Sequence, residues 1–131
     1  MPVSVKPHLM FEGVAGEAMA FYVSLFADAQ ILEVEEYGND EAGRPGSIKR
    51  ARFELAGQEF ICSDSPIAHD FTFTPSMSIF VDCESEEEVR RTFDQLAAGG
   101  ETLMPMGEYG FSALFGWVND RYGVSWQLNL A

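Results

Sequence analysis

Five segments recur in the same order in the two halves of this chain, and that repetition limits its fold more than any other feature. In the first half, "SVKPHLMF" (4–11) alternates as a strand, and Pro7 marks a strand start or a sheet edge. "VAGEAMAFYVSLF" changes period: Ala18, Phe21, Tyr22 and Leu25 fall at i, i+3, i+4 and i+7, one face of a helix. "AQILEVEEY" reads as a strand and "GNDEAGRPG" as a loop, while "SIKRARFELA" and "QEFICSD" make a hairpin about Gly57. After "SPIAHDFTFTP" the order restarts. "SMSIFVD" is a strand, and "SEEEVRRTFDQLAAGG" is a helix with clear ends. Its Ser85 and Glu88 form a capping box, Gly99–Gly100 stop it, and Val89, Phe93 and Leu96 are its buried stripe. "ETLMPM", "FSALFGWV" and "GVSWQLNL" are three further strands. The halves overlay with an offset of about 66 to 72 residues, with Phe11 near Val81, Phe21 near Phe93 and "GQEFICSD" on "GVSWQLNL". This order implies an internal duplication of a βαβββ unit within a single domain, 1–131. The first module covers about 1–64, a linker about 65–74, and the second module about 75–131.

Neither unit buries a sheet and a helix well alone. Side by side, their strands make one curved mixed sheet with both helices on its convex side. The closing strand explains itself on that plan. Val124, Trp126, Leu128 and Leu130 face a core, and Ser125, Gln127 and Asn129 face the other way, into a cleft.

Composition excludes several partners. At 131 residues the chain is long enough for a real core, and no apolar run approaches the roughly 20 residues of a membrane-spanning helix. A net charge of −13 argues against nucleic acid and against anionic membrane surfaces. "MPVSVKPHLMF" does not read as a secretory leader, and Cys62 and Cys83 form no CxxC, so a cytoplasmic protein with free thiols is expected.

Three segments, "HLMFEGVAGEAMAFYVSLF", "FTFTPSMSIFVDCES" and "YGFSALFGWVNDRYGVSWQL", together with "GQEF", cover most of the chain. They resemble the vicinal oxygen chelate superfamily, which includes glyoxalase I, extradiol dioxygenases and the bleomycin and fosfomycin resistance proteins. Within it they are most similar to the PhnB-like branch, whose domain often carries the description 3-demethylubiquinone-9 3-methyltransferase. The resemblance implies an α+β glyoxalase/bleomycin resistance fold, two βαβββ modules forming a curved mixed sheet with a cleft, and a homodimer. Methyl transfer has no support in the residues: no strand leads through a glycine-rich turn into a helix with an acid some 20 residues on.

Metal-dependent relatives hold an ion with four inward side chains, from the first and last strand of each half. Carried over, those places fall on Lys6 or His8, Ile61, Ser76 and Gln127. Isoleucine cannot coordinate, and a neutral amide and hydroxyl bind divalent ions poorly. No metal and no other cofactor is therefore expected.

The cleft side should carry His8, Met10, Arg50, Arg52, Ile61, Ser76, Ser78, Ser125 and Gln127, with an aromatic wall from Tyr109, Phe111, Phe115 and Trp117. Singly, these residues read as a solvated face. Together they read as a small-molecule site, with His8, Arg50, Arg52, Ser76, Ser78, Tyr109, Phe111, Trp117 and Gln127 as its binding residues. Arginines suit a carboxylate or phosphate, although Glu33 and Glu35 on the preceding strand could neutralise them first. No nucleophile–base pair stands out. The expected function is thus a metal-free small-molecule-binding module. The alternative is an enzyme of the same superfamily, a lyase, dioxygenase or resistance-type transferase, acting on a small anionic substrate.

Overall fold

The protein is described by a computed structural model covering residues 2–131, which forms two compact units, one ending at His69 and the other running from Asp70 to Ala131. The first unit contains β1 (His8–Phe11), α1 (Ala15–Leu25), β2 (Ala29–Glu36), β3 (Ile48–Leu55) and β4 (Gln58–Asp64). The second contains β5 (Ile79–Cys83), α2 (Glu86–Ala97), β6 (Glu101–Tyr109), β7 (Ser112–Asn119) and β8 (Ser125–Leu130). Each unit is a four-stranded mixed sheet, and the strand order repeats: β1-β4-β3-β2 in one, β5-β8-β7-β6 in the other. In both, the first strand runs parallel to the last and the remaining pairs are antiparallel. This is the α+β, twice-repeated βαβββ architecture that the element order implies.

In the first unit the apolar parity of three strands buries Leu9, Phe11, Ala51, Phe53, Phe60 and Cys62 under α1. Ala18, Tyr22 and Leu25 supply the buried helix face with Met19, whose sulfur lies 3.8 Å from Cys62, while Phe21 is only half-buried. The β3–β4 hairpin turns through Ala56 and Gly57 at φ of 49° and 88°, a pair of left-handed residues that matches strand twist. The loop before β3 returns to Asp64, whose buried carboxylate accepts from the backbone N–H groups of Gly13, Ala15 and Ile48 at 2.8, 2.9 and 3.0 Å.

In the second unit α2 covers Leu114, Gly116, Val118, Trp126 and Leu128, with the Phe93 ring seated over Gly116. The cap is as the sequence implies: Ser85 accepts from the Glu88 N–H at 3.1 Å, and Glu88 reaches back to the Glu84 N–H at 2.9 Å. Asp120 plays the part in this unit that Asp64 plays in the other. It accepts from the N–H groups of Tyr122 and Val124 and from the Trp126 indole, at 2.8, 3.0 and 2.9 Å.

Two strand starts depart clearly from the sequence reading; the first, expected at residue 4, comes at His8. The strand expected over 76–82 begins only at Ile79, because Thr74–Met77 is a turn closed by Met77 N–H on the Thr74 carbonyl at 3.2 Å. Pro75 is the cause, its fixed φ favouring the second position of such a turn.

Candidate functional site

In each unit the face opposite the helix carries the candidate residues, and the strand registers set them in rows. In the first unit one row crosses all four strands: His8, Ile61, Arg52 and Glu33 are successive partners from β1 to β2. The matching row in the second unit is Phe80, Gln127, Trp117 and Met104, from β5 to β6. The two rows are equivalent by topology and opposite in chemistry.

The first face is charged and internally paired. Arg52 lies 3.3 Å from Glu33 and 3.0 Å from Glu59, and Arg50 lies 3.8 Å from Glu33. Lys6 approaches Glu59 at 3.6 Å, and Lys49 engages Glu41 and, at 3.9 Å, Glu35. The hydrogen bond from Arg52 holds the Glu59 carboxyl below the usual carboxylate range, and Glu59 and then Glu33 raise the guanidinium in return. Both arginines do face away from the helix, as their alternation with buried Ala51 and Phe53 requires. Glu33 is cross-strand to Arg52 as expected; Glu35 is cross-strand to Arg50 but pairs with Lys49, and Glu59 takes the role assigned to it. Two carboxylates beside Arg52 offset its charge locally and so weaken its attraction for an anion. His8 is exposed, with Nε2 2.9 Å from the Ser63 hydroxyl, and among the described residues no acid is bonded to it.

The second face is neutral, and its polar groups are connected. The Trp117 indole N–H donates to Ser125 Oγ at 2.8 Å; Ser125 and Ser78 share a hydrogen bond of 2.6 Å; Gln127 Nε2 donates to Ser78 Oγ at 3.2 Å. Ser125 is buried, while Ser78, Trp117 and Gln127 are half-buried. On β8 the next residue of the same parity, Asn129, is held by Ser112 and donates to Asp82 at 2.8 Å. An aromatic group sits beside this network. Phe115 is buried beneath Phe111, Tyr109 and Phe80, with ring centroids 4.9, 5.9 and 6.4 Å away. Tyr109 stacks on Phe111 at 6.1 Å, and its hydroxyl donates to the Pro105 carbonyl at 2.7 Å.

The structure therefore brings Ser78, Trp117 and Gln127 into one network, and Tyr109 and Phe111 into the adjoining aromatic group. It does not bring Ser76 there. Ser76 is exposed in the Thr74–Met77 turn and bonds Thr74 Oγ1 at 3.1 Å. The strand residue in register with Gln127 is Phe80, four positions further along the same parity. Phe80 and Asn119 are the residues that the sequence left out. Asn119 pairs with Ser125 across β7–β8, and its buried Oδ1 has no hydrogen-bond partner among the described residues. Phe80 was legible as an apolar residue at polar parity inside "SIFVD", a signal that the misplaced strand start concealed.

The register also tests the metal site of this fold. The four places are His8 and Ile61 in one unit and Phe80 and Gln127 in the other: one imidazole, one amide and two hydrocarbons. No group of three or more His, Cys, Asp or Glu able to hold an ion exists among the described residues. The donor set does not fit a divalent metal at these positions.

The 3-demethylubiquinone-9 3-methyltransferase family model matches residues 3–129. The chain belongs to that family. It is a PhnB-like protein with the glyoxalase fold. The solved PhnB protein of Bacillus cereus is 52% identical, with 98% of this chain and 100% of that one aligned and a TM-score of 0.96. The YjdN protein of Escherichia coli is 29% identical over 99% of this chain and 95% of its own length. The fosfomycin resistance protein FosX of Listeria monocytogenes, solved with Mn(II) and sulfate, shares the fold alone: 15% identity, a TM-score of 0.65, and 100% and 93% of the two chains covered. No helix of the described residues is long and apolar enough to cross a membrane.

Proposed function

We propose that this PhnB-like protein is a metal-free small-molecule-binding module, acting as a homodimer, whose ligand is held on the outer face of β5, β8 and β7. The observation that carries the reading is the connected network Trp117–Ser125–Ser78–Gln127 beside exposed aromatic surface at Phe80 and Phe111. Sites for small organic ligands combine apolar walls with a few oriented polar groups, and this face has that composition. The paired arginines of the other unit argue for a neutral ligand over an anionic one, since Glu33 and Glu59 already occupy Arg52. Among the described residues His8 is bonded to Ser63 and to no acid that would orient it as a base, so binding rather than turnover is the function adopted. Methyl transfer, named in the family's description, is not part of it: neither unit has the parallel sheet and glycine-rich turn that would cradle a nucleotide-like methyl donor. Buried, unpaired Cys62 and Cys83 suit a reducing compartment, and we assign the protein to the cytoplasm.

A fragment titration followed by ¹H–¹⁵N correlation spectra, in buffer containing EDTA, tests the proposal. The Trp117 indole and Gln127 side-chain amide signals should move on adding neutral aromatic fragments, and restoring Zn²⁺, Ni²⁺ or Mn²⁺ should change nothing. Binding that appears only with added metal, or a panel in which carboxylates and phosphates alone bind and shift Arg50 and Arg52, would overturn it.

A further inference from the structure

Phe115 is buried on a face that should leave it open. On β7, Leu114 and Val118 turn towards α2, so Phe115 and Trp117 point the other way. Trp117 is half-buried there, as a residue of an open sheet face should be, yet Phe115 is only 3% exposed. Its cover is three rings. Phe111 meets it edge to face, with centroids 4.9 Å apart and planes at 76°, Tyr109 does so at 5.9 Å and 87°, and Phe80 lies tilted at 6.4 Å.

The fold does not need that cover. Strand β3 is the counterpart of β7, Arg52 that of Trp117, and Arg50, two residues earlier, that of Phe115. Arg50 keeps a side chain that is 53% exposed. The rings over Phe115 therefore belong to the sequence of the second unit and not to the architecture, and they are lightly held. Phe111 is 70% exposed and sits after Gly110 in the short turn between β6 and β7. Tyr109 stacks on it at 6.1 Å and ends an edge strand whose register with β7 slips three times. A further tie is the Tyr109 hydroxyl, which donates to the Pro105 carbonyl of the same strand at 2.7 Å. Phe80, by contrast, is set within a strand, in register with Gln127.

Resting on the binding reading above, we infer that Phe111 is an autoinhibitory gate: its ring occupies, on Phe115, the place of an aromatic group of the ligand, which binds by displacing it. Phe115 then becomes the floor of the site, beside Trp117 on the same strand. The exchange is chemically even. A neutral aromatic ring can remake the edge-to-face contact that Phe111 gives up, and the displaced side chain already has most of its surface in water. A site closed by its own side chain binds with an apparent affinity lowered by the fraction of molecules that are open. Removing a gate therefore tightens binding, whereas removing a wall weakens it.

The experiment uses the full chain, titrated with indole as the probe and followed by ¹H–¹⁵N correlation spectra. In the wild type the backbone amides of Gly110 and Ser112 should move with the same midpoint as the Trp117 side-chain signal. Phe111→Ser should bind indole roughly three- to tenfold more tightly, the factor expected from losing one aromatic pair. Tyr109→Phe keeps the ring and loses only the bond to Pro105, and it should change affinity in the same direction. Retained dispersion of the backbone spectra establishes that each variant is folded; should the serine variant lose it, Tyr109→Phe decides by the same sign. Weaker or unchanged binding in Phe111→Ser would overturn the gate and leave the binding reading standing. No shift in the wild type or in Phe111→Ser, with indole or with a wider panel of neutral aromatic fragments, would overturn both.

Discussion

Asp64 is the side chain on which the first unit most depends. Its carboxylate is 3% exposed and accepts three backbone N–H groups, tying the start of α1 and the start of β3 to the end of β4. Helix α1 needs that help, because Val14 at its N-cap offers no side-chain oxygen. Replacing Asp64 with Ala would leave three donors unmet in a dry place, an expected loss of roughly 3–5 kcal/mol. Asn would keep the oxygen that serves Gly13 and Ala15 but set an NH₂ against the Ile48 N–H, so about half that loss is expected. Urea melts with an unchanged slope would measure both; an alanine variant within about 1 kcal/mol of wild type would refute the assignment. At this scale the sequence was readable where alternation decides and opaque where distance decides. Arg50 and Arg52 had to leave the helix side once Ala51 and Phe53 were core. That Glu59 rather than Glu35 completes the pairing of Arg52 rests on a diagonal reach across the β3–β4 hairpin, from Arg52 to the residue two before its register partner Ile61, and the hairpin pattern does not state which diagonal is used.

Elements were legible when their ends carry their own chemistry. Helix α2 begins at its capping serine and stops at Gly99, whose φ of 77° is left-handed. The β3–β4 hairpin likewise announces itself at Gly57. Strand β5 did not, because a strand start has no cap and a run of alternating serines reads through the turn at Pro75. A three-residue error in the start left the strand's side chains on their correct faces, yet it hid Phe80 and placed Ser76 in a site it does not reach. The two glycines ending α2 also differ in what they require. Gly99 needs only its backbone angle, and alanine should cost about 1–2 kcal/mol. A Cβ on Gly100 would meet the Asn119 carbonyl oxygen at 2.1 Å and the Asp120 backbone at 2.9 Å. That strain cannot be relieved by a rotamer change. Gly100→Ala should therefore lower the melting temperature clearly more than Gly99→Ala, and equal effects would show that the helix–strand contact yields.

Across the whole molecule, one topology is used twice and given two chemistries: a self-neutralising charged row at His8–Ile61–Arg52–Glu33 and an amide-and-aromatic row at Phe80–Gln127–Trp117–Met104. Apolar side chains also remain on the surface of this acidic chain. Strand β2 forms a sheet edge with no buried residue along its length, exposing Ile31, Leu32 and Val34, and Ile67, Phe71, Met77 and Phe111 are exposed as well. Open edges and apolar patches invite pairing with another chain, and a second copy is the partner always present. Two copies of net charge −13 bring −26 together (13 + 13), so Coulomb repulsion opposes the association that apolar burial favours. The signs give an expectation that a salt-bridged interface would reverse. Sedimentation at micromolar concentration should yield about twice the 14.5 kDa chain mass, with the dimer fraction rising between about 20 and 150 mM salt as the Debye length shortens. A species of single-chain mass at every salt concentration would exclude the homodimer. A dimer that instead dissociates as salt is added would mean that ion pairs, and not Ile31, Leu32 and their neighbours, hold the two copies together.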